Sequence, residues 1–235
     1  MKKTHRKIIW FALAACALSL VAFMLFSPSG PKRAPSEGYT PLRDDALAAR
    51  YRPLIDCPPE FGSLLALYYR AAKDSGGLVH IAYHPLWARE VNNAPGFSPF
   101  LSRSLYTGGL SLQRLMYGKG DIESIALTLD PASGELRHVD YETAEGYSPS
   151  QFSVTHKAVG VAGPFALPLR FRVVSWNHPF SLDKDAPAPA GQEGADAPLV
   201  YFGPSLWRED SMMKDPNTRI RKDRAHFEWE EKAAE

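Results

Sequence analysis

The sequence predicts a mainly β fold, an antiparallel β-sandwich-like domain with one or two short helices, preceded by a single N-terminal transmembrane helix. Three observations carry that expectation. An apolar run occupies residues 8–26 behind a basic N-terminus, and several segments after residue 77 alternate apolar and polar side chains. Two of these segments are separated by Asp130-Pro-Ala-Ser-Gly134, a turn sequence suited to a hairpin.

At about 1.5 Å per residue, the run at 8–26 comes close to spanning a hydrocarbon core of about 30 Å. Lys2, Lys3, Arg6 and Lys7 precede it, whereas only Lys32 and Arg33 come closely after it. The positive-inside bias keeps 1–7 in the cytoplasm and exports the remainder of the chain beyond the run. The run exceeds the ~7–15 residues of a signal-peptide core, which favours an uncleaved signal-anchor. Cleavage near Ser27-Pro28-Ser29 and lipidation at Cys16 in Leu13-Ala-Ala-Cys16 are the alternatives. The expected address is a bacterial inner membrane, single-pass, with the C-terminal domain in the periplasm or outside the cell.

Residues 27–47 are rich in Pro, Ser, Gly and charge, and read as a flexible tether. A β-rich extracytoplasmic domain is expected over 48–205, with a mobile acidic loop at 183–198 and a charged C-terminal segment at 206–235. Six of the 27 Lys and Arg residues lie in the first 33 positions and none of the 26 acids does. The chain beyond residue 33 therefore carries 21 basic and 26 acidic residues, a net charge of −5, which argues against nucleic acid as a partner. The expected membrane contact is the N-terminal helix itself. Cys57 is the one cysteine outside the apolar run, so an intradomain disulfide is impossible, and its apolar and proline-rich surroundings favour a buried structural thiol.

Along the domain, a Leu/Ala/Tyr face predicts a helix over 61–73, and a second helix is expected over 111–117. Strands are expected over 77–84, 123–130, 135–142, 152–161, 169–176 and 199–202. The loop at 183–198 has, proline aside, no apolar side chain larger than alanine and cannot build a core.

The chemistry-bearing segment is Gly118-Lys-Gly-Asp-Ile-Glu123. Residues i and i+2 of a strand share a face, so Asp121 and Glu123 are expected ~6–7 Å apart on the side that continues as Ile125 and Leu127. Carboxylates on that side need a hard cation such as Ca²⁺ or Mg²⁺, an arginine such as Arg170 or Arg172, or a raised pKa. A strand that starts at solvent level would leave both hydrated. His84, His156 and His178 form a second set, two of them followed by proline at strand ends. His84 and His178, with Trp87, are the expected ligand-binding residues for a small-molecule or envelope ligand. Tyr83, Trp87, Phe97, Phe100, Tyr106 and Tyr117 suit core packing or a carbohydrate groove. His-Glu-x-x-His, paired Cys-x-x-Cys and Gly-x-Ser-x-Gly are all absent.

The stretch Gly120-Asp-Ile-Glu-Ser-Ile-Ala-Leu-Thr-Leu, followed by Gly134-Glu-Leu-Arg-His-Val-Asp-Tyr, resembles the Gly-Asp-Trp-Glu-His-Val strand and hairpin of a vacuolar-protein-sorting-associated family. It is also similar to the His-Asp-Trp-Glu-His segment of necrosis-inducing secreted cytolysins. That resemblance implies a β-sandwich, and implies a divalent cation at Asp121 and Glu123. Ile122 replaces the family tryptophan, Ser124 the following histidine, and Gly118 stands where a histidine precedes the acids. Three functions fit these readings: a ligand- or metal-binding β domain of the cell envelope, a metal-assisted hydrolase acting on envelope material, and a structural or assembly protein.

Overall fold

The computed structural model describes residues 38–88, 91–104, 123–183 and 197–202. The apolar run at 8–26, Asp121, the expected helix at 111–117, most of the acidic loop and the charged C-terminal segment lie outside the described residues. Among the described residues, no helix is long and apolar enough to cross a membrane.

The described chain is mainly β, with antiparallel sheets and few helices. Its elements are β1 (Tyr39–Leu42), α1 (Asp45–Arg50), β2 (Leu54–Asp56), a 3₁₀ turn (Pro59–Phe61), β3 (Leu64–Asp74), β4 (Val79–Trp87) and α2 (Phe97–Ser102). Next come β5 (Ile125–Asp130), β6 (Glu135–Glu145), β7 (Thr155–Ala162), β8 (Arg170–Val173), β9 (Phe180–Asp183) and β10 (Leu199–Tyr201). One sheet runs β1-β3-β4-β5-β6-β7, with β10 lying parallel to β3; a smaller sheet runs β2-β8-β9.

The expected helix over 61–73 is instead the long strand β3. Leu, Ala and Arg favour helices in isolation, but β3 pairs with β4 from Leu64↔Trp87 to Lys73↔Val79, and residues 66–72 are buried on both faces. A central strand is satisfied by two ladders, and that tertiary pairing overrides a weak propensity. The domain also begins earlier than the expected boundary at 48. Within the expected tether, β1 pairs antiparallel with residues 71–74, and Pro41 sits on an edge strand, where its missing N–H is tolerated. Asp44 then caps α1 by accepting from Leu47 N at 2.8 Å. The hairpin at Asp130–Gly134 forms as expected: Ala132 N donates to Asp130 Oδ1 at 2.9 Å, and Gly134 takes a φ of 70°.

One face of the larger sheet presents Leu67, Tyr69, Ile81, Tyr83, Ile125, Leu127 and Val139 to a core shared with Ile55, Phe171, Val173 and Phe180 of the smaller sheet. Each such fully buried Leu, Ile or Phe contributes roughly 1.5–3 kcal/mol of hydrophobic stabilisation. Helix α1 is tied across this core by tyrosine hydroxyls, with Tyr83 donating to Ala48 O at 2.6 Å and Tyr51 to Gly134 O at 2.7 Å. The opposite face of the larger sheet carries a smaller apolar group of Ala66, Tyr68, Leu86 and Phe202 beside the buried His80 and His84.

Candidate metal site

Glu123 enters two residues before β5 and is buried, with only 1% of its side chain exposed. It is therefore not a hydrated carboxylate at the strand's start. Arg170 lies opposite Asp183 in the ladder of the smaller sheet, and Arg172 is largely exposed and faces Asp56 at 3.9 Å. The histidine and second carboxylate that meet Glu123 come from β7 and β6.

Glu142 of β6 lies opposite Ala158 of β7, and His156 lies opposite Ala144, so Glu142 and His156 are diagonal neighbours on one face of the ladder. His156 Nδ1 lies 2.6 Å from Glu142 Oε2 and 3.9 Å from Glu123 Oε1. One ligand atom from each of the three residues falls within 4.8 Å of the others. Two ligand atoms on one ion at ~2.0–2.2 Å lie at most ~4.4 Å apart, so only a small contraction separates this cluster from a ligating geometry. The side chains of His156 and Glu142 are 21% and 27% exposed, which leaves an open approach from solvent.

The imidazole is oriented from behind. Ser175 Oγ donates to Asn177 Oδ1 at 2.7 Å, and this turns Asn177 Nδ2 toward His156 Nε2 at 2.5 Å. An amide nitrogen donates and cannot accept. With the amide placed this way Nε2 accepts, and a neutral ring then carries its proton on Nδ1, facing Glu142. Ser175 and Asn177 are buried in the turn between β8 and β9, so the relay is held by the smaller sheet while the carboxylates are held by the larger.

The expected ligand-binding residues occupy other places. Trp87 and His178 stack with ring centroids 4.3 Å apart and planes within 10°, and His178 Nε2 donates to Phe61 O at 2.9 Å. His178 holds a φ of 65°. His84 points from the opposite face of β4, where Arg70 Nε donates to its Nε2 at 3.1 Å and Phe202 meets it edge-on at 5.2 Å. The structure therefore brings Trp87 and His178 together and leaves His84 apart from them. Among the aromatic residues expected in a core or groove, Tyr83 and Trp87 are core, while Phe97 and Phe100 are exposed on α2. Tyr106 and Tyr117 lie outside the described residues.

Sequence spacing misses Glu142 as a partner of Glu123 because nineteen positions separate the two; the β5–β6 hairpin, whose register sets Ile125 opposite Tyr141, closes that gap. Comparison with protein-family models, with curated proteins and with solved structures finds no match to this chain.

Proposed function

We propose that this chain is a divalent-metal-binding β domain of the cell envelope, carried on its N-terminal signal-anchor, with Glu123, Glu142 and His156 as the protein ligands. The observation that carries this reading is the convergence of one imidazole and two carboxylates, one of them buried, within 4.8 Å. The mixed nitrogen and oxygen donor set suits Zn²⁺, Mn²⁺ or Fe²⁺ better than the Ca²⁺ or Mg²⁺ that an all-carboxylate site would favour. The core shared by the two sheets supports a sandwich architecture.

A metal-assisted hydrolase is a second reading, and the partial exposure of His156 and Glu142 favours it, because an ion with three protein ligands and an open side can hold water or substrate. The first test is elemental analysis and thermal melting of the full chain in detergent. Metal bound in stoichiometric amount, with a melting temperature that falls on chelation in the wild type and not in Glu123→Ala, is the expected result. Chelator-insensitive melting of a metal-free wild type rules the site out.

A further inference from the structure

We infer that Asn177, anchored by Ser175, is the positioning residue of this site: its amide selects which imidazole nitrogen of His156 faces the carboxylates with a free lone pair. The inference rests on the metal-site reading above. In that amide orientation a neutral ring carries its proton on Nδ1, 2.6 Å from Glu142 Oε2, and Nδ1 cannot then ligate. A metal ion on Nδ1 requires the neutral tautomer with its proton on Nε2, and that proton then needs an acceptor where Asn177 Nδ2 now stands.

A half-turn of the amide supplies one. Asn177 Oδ1 would accept from Nε2–H, and Nδ2 would donate to Ser175 Oγ, which can accept as readily as it donates. The proton moves from Nδ1 to Nε2, the imidazole stays neutral, and the metal bond replaces the hydrogen bond from Nδ1 to Glu142. A buried serine and a buried asparagine 2.7 Å apart, with the amide 2.5 Å from the ring, thus form a reversible two-state support for the ligand. Partners of this kind, contacting the second nitrogen of a ligating histidine, typically govern metal affinity by about 10- to 100-fold.

The test compares Zn²⁺ affinity, apo melting temperature and ¹⁵N spectra of His156 in the wild-type full chain, Asn177→Asp and Asn177→Ala. In the wild type, Zn²⁺ should shift the ring proton from Nδ1 to Nε2. Asn177→Asp accepts only, keeps the shape of the side chain, and should bind Zn²⁺ at least as tightly as wild type. Asn177→Ala should bind about 10- to 100-fold more weakly, beyond any change that its apo melting temperature accounts for. Wild-type binding with equal affinity in all three proteins, or an imidazole tautomer that Zn²⁺ does not change, overturns the role of Asn177 and leaves the metal site standing. Absence of Zn²⁺ binding by the wild type removes both.

Discussion

Arg70 and His84, on adjacent strands and both buried, share a hydrogen bond in which the guanidinium Nε donates to the imidazole Nε2 at 3.1 Å. An imidazole nitrogen that accepts from a cation has its lone pair engaged. Burial, and next the charge of Arg70, hold the His84 pKa well below its ordinary value.

The sign of that shift sets a pH dependence. The unfolded chain takes up a proton at His84 as pH falls through about 6.5, while the folded chain does not, so stability is lost from about pH 6.5 downward. The slope for one such group approaches about 1.4 kcal/mol per pH unit. In His84→Gln the amide oxygen can still accept from Arg70, yet nothing titrates. Denaturant unfolding between pH 7.5 and 5 should show the wild type losing stability relative to the variant. Parallel curves would mean that His84 charges freely in the folded state.

Asp74 predicts a pH effect in a different window. Its carboxylate accepts from His80 Nε2 at 2.8 Å and from Leu78 N at 2.9 Å, and these hydrogen bonds, the one from His80 foremost, lower its pKa. A lowered acid contributes its stability above the unfolded value of about 3.9 and loses it as pH falls through the folded value. Asp130, lowered by the Ala132 backbone N–H and by Arg137, acts in the same window. Acid unfolding below pH 4 should therefore become shallower in Asp74→Asn and shallower again in the double variant with Asp130→Asn. An unchanged slope in both contradicts the assignment.

The Trp87–His178 pair gives a prediction about rank. His178→Ala loses the stacked ring pair, worth ~0.5–1.5 kcal/mol, and the hydrogen bond to Phe61 O. It keeps the strained φ of 65°. His178→Gly loses the same contacts but relieves a left-handed conformation that costs an L-residue ~1–2 kcal/mol. Both variants should melt below wild type, with glycine above alanine by about that amount. Alanine equal to or above glycine would show that the backbone has relaxed.

The strand pattern was legible in β5 and β6, and it was not read in β1, β2 or β9. Ile125, Leu127 and Leu129 alternate with polar or small neighbours, and the turn at Asp130–Gly134 names its own hairpin. The strand β3 was not legible, because its Leu, Ala and Arg residues are helix formers and burial on both faces leaves no period of two; the equally buried β4 was read from its β-branched Val79 and Ile81. The candidate site was half legible. Glu123 declared itself by standing in line with the core residues of β5, and His156 by alternating with apolar neighbours. Their convergence with Glu142 depends on ladder register, and that is fixed by a hairpin and by the return of β7 along β6, neither of which leaves a spacing signal.

The donor set also ranks the ions. An ion held at a hundred times its dissociation constant stabilises the folded state by ~2.7 kcal/mol, so the preference can be read as a ranking of melting temperatures at equal metal concentration. Imidazole favours Zn²⁺ over the hard alkaline-earth ions, whereas carboxylate and amide oxygens suit Ca²⁺ and Mg²⁺. Wild type should rise in melting temperature with Zn²⁺ and little or not at all with Ca²⁺. His156→Gln replaces the ring nitrogen with an amide oxygen and keeps Glu123 and Glu142. It should lose the Zn²⁺ response by well over half, narrowing or reversing the difference between the two ions. Glu142→Gln tests the other limb: it removes one negative charge from the cluster while retaining an oxygen donor, so both ions should weaken together and the Zn²⁺ preference should persist. If His156→Gln kept the full Zn²⁺ response, the imidazole would not be a ligand and the three-residue site would be reduced to its carboxylates.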